Sequence, residues 1–196
     1  MKAIILLATL KKSGLSNTAT LCEFVAERMH NAGIDSETIR LVDYEIHAGT
    51  YSNMGAGDEW PPILKKVLAS DIVIFATPVW WSNQSSLMQR VIERLDELHD
   101  YVLNGKPSGL EGKVAGILVT GDSDGSQHII GNLCNFCIAL GLLVPPYGTL
   151  TVLWDRQAKS EKPSKDELLR KYESDYGKTA DKMIAQLASC VTTPTR

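Results

Sequence analysis

Five consecutive apolar residues, Ile72-Val-Ile-Phe-Ala76, run without polar alternation into Thr77-Pro78 and then Val79-Trp80-Trp81-Ser82. A strand with one solvated face alternates apolar and polar residues, so an unbroken run is buried on both faces. Such a strand belongs in a parallel sheet covered by helices on each side. Residues 3–8 and 113–120 repeat the pattern. Residues 35–41, with Ile39 and Leu41 inward, read as an outer strand. The pieces 142–144 and 149–153, split by Pro145-Pro146-Tyr147-Gly148, form a fifth strand region.

Helical periodicity fills the intervals. Residues 17–31 place Cys22, Val25 or Ala26, and Met29 on one side, and Gly33 supplies the left-handed stop. Asp58, Pro61 and Pro62 mark the start of a short helix to about Ala69. Met88, Val91, Ile92, Leu95 and Leu98 form the stripe of one helix, and residues 126–140 form another that Gly141 ends. Ser164-Lys-Asp-Glu167 is a capping box. It opens a last helix with Leu169, Tyr172, Tyr176, Ala180, Met183 and Leu187 on one face. Residues 44–57 have no period, and a connection of that length is expected to be functional or oligomeric. With right-handed crossovers, these elements predict an α/β fold: a doubly wound five-stranded parallel sheet with helices on both faces. One domain is expected over residues 1–191, followed by a disordered tail at 192–196.

A formal net charge of −3 and the lack of a Lys/Arg cluster argue against nucleic acid. The apolar stretches are strand-length and too short for a bilayer. Met1-Lys2 leads straight into a strand with no secretory signal, and four cysteines are too few for a disulfide framework. A cytoplasmic protein with reduced thiols is expected. Cys134 and Cys137 form a C-x-x-C inside a helix, half of a tetrahedral metal site, and read as core thiols rather than ligands. His128 reads as a surface residue, and Asp43 lacks the glycine fingerprint that would make it a ribose ligand.

Ligands of such sheets bind beyond the carboxyl ends of the strands, where the strand order reverses. Three loops leave those ends, and all three have unusual composition. In residues 9–18, Thr9, Ser16, Asn17 and Thr18 bring hydroxyl and amide donors to a helix N-terminus, which suits a phosphate. Lys11 or Lys12 adds a full positive charge there. The simpler alternative is N-capping by Ser16 or Asn17. In the second loop, Pro78 fixes the exit, Val79 and Ser82 offer backbone groups to a ring edge, and Trp80 and Trp81 wall a flat ring. The alternative for the tryptophans is packing in the core or at a subunit interface. The third loop, with Thr120, Gly121, Asp122 and Gly125, is interesting chiefly for its position. A phosphate on the first loop and a ring against the second suggest bound flavin mononucleotide (FMN).

These residues carry a resemblance to the flavodoxin-like superfamily, in its NAD(P)H-dependent FMN reductase and quinone reductase branch. The phosphate loop of that branch reads Gly-Ser-Pro-Arg-Lys-Asn-Gly-Asn-Thr. Thr9 here stands for the serine, Lys11 for the arginine, and Ser16-Asn17-Thr18 for its end. Thr77-Pro-Val-Trp-Trp81 resembles the Thr-Pro-Ile/Val-Tyr-Trp/Phe loop, and the helix with Met88 and Glu93-Arg94-Leu95-Asp96 resembles the one that follows it. Ala8-Thr9 replaces Gly-Ser, and the loop is one residue longer. No cysteine lies between Cys22 and Cys134, which disfavours the iron–sulfur subclass.

The resemblance implies an FMN-dependent oxidoreductase passing electrons from NAD(P)H to a quinone or other small acceptor, with no protein nucleophile or base. Segment 44–57 and the paired tryptophans Trp80 and Trp81 point to a homodimer or higher homo-oligomer. Two rivals stand beside the oxidoreductase: a flavodoxin-type electron carrier, and a regulator of the same fold with a degenerate site.

Overall fold

A computed structural model describes residues 1–121, 124–154 and 163–192. The order is β1 (Lys2–Leu7), α1 (Asn17–Asn31), β2 (Asp35–Arg40), a 3-10 turn (Leu41–Asp43), α2 (Trp60–Leu68) and β3 (Ile72–Pro78). Then follow α3 (Ser86–Arg94), α4 (Asp96–Leu103), β4 (Val114–Gly121), α5 (Ser126–Ala139), β5 (Thr149–Leu153) and α6 (Lys165–Cys190). The five strands form one parallel sheet in the order β2-β1-β3-β4-β5. This is the doubly wound, flavodoxin-like arrangement expected from the unbroken apolar runs together with right-handed crossovers.

Strand periodicity divides the core into two layers. Ile4, Leu6, Val73 and Phe75 face one way, onto α2, α3 and α5 through Ile63, Val91 and Leu133. Ile5, Leu7, Ile74 and Ala76 face the other way, onto α1 and α6 through Val25, Met29, Met183 and Leu187. The capping box at Ser164 and Glu167 is formed as expected. The inner face of α6 uses Leu168 where Leu169 was expected, and Leu169 is half-buried. Cys137 is in the core and Cys134 half-buried. Of the tail, residues 193–196 lie outside the described residues.

The expected single helix after the second loop is two. Leu95 ends α3 and precedes α4. The Glu97 amide leaves the helical ladder for the Thr50 carbonyl at 3.1 Å, and the Ser52 amide donates to Glu97 Oε2 at 2.7 Å. The break is thus made by the segment 44–57, which α3 and α4 hold in place. Arg94 and Asp58 have no exposed side-chain surface and pair twice, Nη2 to Oδ2 at 2.6 Å and Nη1 to Oδ1 at 2.9 Å. Arg94 also donates to the carbonyls of Tyr51 and His47, at 2.8 and 3.0 Å. Asp58 accepts backbone N–H groups from His47, Met54 and Trp60. A segment without regular structure is thereby wound around one buried ion pair.

Removing one partner of such a pair leaves a buried charge uncompensated, and Arg94→Leu is expected to cost about 3–5 kcal/mol in urea unfolding. The Arg94 guanidinium holds the Asp58 carboxyl well below the usual carboxylate range. A lowered folded pKa gives stability that is complete above the unfolded value of about 4 and is lost only as pH falls well below it. Arg94→Leu is therefore expected to flatten the acid limb of stability against pH, measured by urea titration at a series of pH values.

Candidate functional site

The strand order turns around between β1 and β3, since the chain leaves β1 toward β2 on one side and returns to β3 on the other. Above that point the three loops meet. Ser16 is the N-cap of α1: its Oγ accepts from the Ala19 amide at 3.3 Å and donates to Thr9 Oγ1 at 2.9 Å. Capping thus coexists with a cluster of donors, because the first-turn amides of Asn17 and Thr18 have no intrahelical acceptor. Thr18 and Thr120, both buried, join their hydroxyls at 2.6 Å and tie α1 to β4. The Lys11 ammonium turns back onto the Leu15 carbonyl at 2.7 Å, so it braces the loop.

The second loop is a tight reversal. Trp80 and Asn83 exchange backbone bonds at 2.8 and 2.9 Å, leaving Trp81 and Ser82 as the two turn residues at φ 50° and 62°. Both positions favour glycine or asparagine, and side chains there are strained by about 1–3 kcal/mol each. Asn83 Nδ2 supports the turn through the Trp81 carbonyl at 3.0 Å. Trp81 is 95% exposed and Trp80 53%, which removes the core alternative for both.

Glycines of the third loop let the second approach. A Cβ on Gly121 would lie 2.9 Å from Val79 Cγ2, and one on Gly125 (φ 104°) only 2.4 Å from Ser82 Cα. The Val79 amide donates to the Thr120 carbonyl at 2.8 Å, fastening the two loops at the carboxyl end of the sheet.

A cavity of about 700 Å³ lies between the loops. The first contributes Thr9, Lys11, Ser16, Asn17 and Thr18; the second contributes Pro78, Val79, Trp80, Trp81 and Ser82; the third contributes Thr120 and Gly121. Every one of these was singled out from sequence. Gly125 acts from behind, and Asp122 lies outside the described residues. Leu10 and Asp124 also line the cavity and were missed.

Two positioning residues were missed as well. Ser85 Oγ donates to the Ala8 carbonyl at 2.7 Å, while its amide donates to Thr77 Oγ1 at 3.0 Å. Its place as N-cap of α3, three residues before Met88, was the available signal. Arg40 at the end of β2 donates to the Lys11 carbonyl and pairs with Asp43 at 3.0 Å, which occupies the acid discounted above. His128 is exposed on α5. Burial pushes the Cys137 thiol up to about 12, so it is inert at neutral pH. Among the described residues, no three His, Cys, Asp or Glu gather to hold a metal.

The family model of NADPH-dependent FMN reductases matches residues 1–154. The divalent metal cation transporter MntH of Mycobacterium bovis is 34% identical over 151 residues, 74% of this chain and 22% of that protein. The 8-demethyl-8-aminoriboflavin-5'-phosphate synthase of Streptomyces davaonensis is 33% identical over 156 residues, 74% of this chain and 61% of the enzyme. The chain thus spans less than two thirds of either relative. A crystal structure of RosB with the bound intermediate 8-demethyl-8-formylriboflavin-5'-phosphate superposes with TM-score 0.78 at 27% identity, covering 97% of this chain and 79% of RosB. No helix among the described residues is long and apolar enough to cross a membrane.

The contact between Gly125 and Ser82 gives a test of the cavity wall. Gly125→Ala drives a methyl into the Ser82 backbone, and is expected to change the near-UV circular dichroism of the tryptophans while leaving the far-UV spectrum intact. An unchanged near-UV spectrum would mean that the turn does not rest on this glycine.

Proposed function

This chain belongs to the NADPH-dependent FMN reductase family, and from that premise we propose an FMN-dependent oxidoreductase drawing on a nicotinamide nucleotide and supplying a quinone or other small acceptor. One observation carries the reading: the donor cluster at the start of α1 and the tryptophan turn border the same cavity. The residues fit FMN. The hydroxyls and first-turn amides suit a phosphate dianion, and the exposed Trp80 and Trp81 on the same cavity suit a flat ring. Bound FMN supplies reversible hydride and electron chemistry that no side chain here provides.

What the chain contributes is placement. Asn17 and Thr18 hold the phosphate, and Thr120 fixes the Thr18 hydroxyl from behind. Pro78, Val79 and Ser82 set the ring edge. Trp80 and Trp81 offer an apolar surface to a second flat molecule and exclude water from it. The reading extends to a cytoplasmic setting, supported by four free thiols, and to a homodimer, supported by the exposed surface of Trp80 and Trp81.

A second reading is favoured by the Streptomyces relative and the RosB structure, whose names describe modified flavin phosphates. In it, the flavin phosphate is the substrate. A flavodoxin-type carrier is the third.

Anaerobic addition of NADPH or NADH to the FMN-loaded protein separates the three. Under the reductase reading, either nucleotide bleaches the flavin band, a quinone restores it with turnover, and mass spectrometry recovers FMN unchanged. A flavin of altered mass selects the second reading. A flavin that neither nucleotide reduces selects the carrier. For the phosphate end, Thr18→Asp is expected to weaken FMN by about tenfold or more, or at least about 1.4 kcal/mol, by setting a carboxylate against the dianion. Riboflavin is expected to bind the parent protein more weakly by a similar factor. Equal affinity for riboflavin and FMN in calorimetry would remove the phosphate from this loop.

A further inference from the structure

Residues 125–154 contain no Asp, Glu, Lys or Arg, in a chain that is 22% charged. The run includes the whole of α5, although α5 lies at the surface. Gln127, Gly131, Asn135 and Ile138 are exposed on its outer face, Ile138 at 67%. The outer faces of α1 and α6 are charged in the ordinary way, with Glu23 and Glu27 on one and Lys178 and Asp181 on the other. An outer face without charge that keeps a large apolar side chain in solvent has the composition of an interface core.

Gln127, Gly131, Cys134 and Ile138 follow one another at steps of four, three and four residues, the spacing of a helix–helix seam. Gly131 lies in the middle of that line. Glycine weakens a helix interior, and this fold does not require it there, because a Cβ would meet no atom within 4 Å. Its bare surface, with the half-buried Cys134 beside it, admits a second helix at close range. In a two-fold contact, residues near the axis meet their own copies, so any charge there would meet a like charge. A helix without a single charged residue meets that condition, and it offers nothing to a charged partner. The occupant that fits is a second copy of this chain.

We infer that α5 is the contact helix of a two-fold dimer. The two copies of α5 run antiparallel, Gly131 of each against Cys134 of the other, and Gln127 against Ile138. The inference rests on the homodimer of the reading above and assigns its surface. The seam begins two residues after Gly125, which packs against Ser82, so the interface adjoins the turn that holds Trp81 out.

The test is sedimentation velocity on the full chain, with and without FMN. The parent is expected to sediment as a dimer. Gly131→Glu places two carboxylates in the seam and is expected to raise the dimer dissociation constant at least about a hundredfold. Ile138→Lys, at an exposed position, is expected to act in the same direction and guards against a folding defect in the first variant. Far-UV circular dichroism of both is expected to match the parent. A short bis-maleimide is expected to join two copies through Cys134, and the cross-link to vanish in Cys134→Ser but persist in Cys190→Ser. A parent assembly larger than a dimer is expected to fall to half its mass in the charge variants. A monomeric parent overturns both this interface and the homodimer. An assembly that ignores both charge variants, or a cross-link that survives Cys134→Ser, overturns the α5 interface and leaves the homodimer on another face.

Discussion

β3 is paired along its length with β1 on one side and β4 on the other, and its backbone has no free edge. Residues 72–77 are fully buried, so the strand cannot slide or turn without exposing two core layers. That constraint reaches the cavity directly. The carboxyl ends of β1, β3 and β4 stand side by side in fixed register, and their loops begin at set distances from one another. The bonds from Ala8 to Ala76 and from Val79 to Thr120 continue the sheet pattern just past the strands, into the loops themselves. Rigid placement of loop residues by a sheet is the condition for holding a cofactor without side-chain catalysis.

On this rigid base the tryptophan turn is strained. Two consecutive positive-φ residues without glycine are unfavourable, and the cost is borne by the surrounding bonds: the Trp80–Asn83 pair, the Asn83 amide and the packing of Gly125 against Ser82. The result is a large aromatic surface held out toward solvent, against the ordinary tendency of tryptophan to bury. Strain and exposure in one residue, at the edge of a cavity, is the pattern of a ligand-facing position. The opposite end of the cavity is built differently, from hydroxyls that satisfy one another while keeping helix amides open. The polar end suits an anion and the aromatic end a ring.

Segment 44–57 shows how an irregular stretch can be as well fixed as a helix. Its carbonyls and amides are taken up by Arg94, Asp58, Glu97 and Arg90, which substitute for the regular ladder it lacks. The ion pair at its centre is completely buried and Arg94 makes four hydrogen bonds, which makes it costly to break singly rather than a large net source of stability. The expectation of a functional or oligomeric role, drawn from length alone, overlooked this internal use.

Much of this protein was legible in its sequence because the physics involved is local. Unbroken apolar runs such as Ile72-Val-Ile-Phe-Ala76 dictate burial on both faces, and helical stripes between them dictate a covered parallel sheet. The site loops stood out because hydroxyls at a helix start and tryptophans after a proline are unusual where they occur. The tertiary structure alone decided the rest. Lys11 reads as a phosphate ligand in sequence, and only the structure shows that its ammonium also bonds the Leu15 carbonyl, because the loop closes on itself. Arg94 enters the sequence reading only as part of a family-like helix, and becomes the buried anchor of a segment more than thirty residues away. One continuous stripe from Met88 to Leu98 hides a helix break, since the competing acceptor is the carbonyl of Thr50. Gly125 looks like a turn residue, whereas its lack of a side chain matters because Ser82 of another loop lies against it. In each case the deciding partner is distant along the chain, and a periodicity or a motif contains no information about which distant groups will meet.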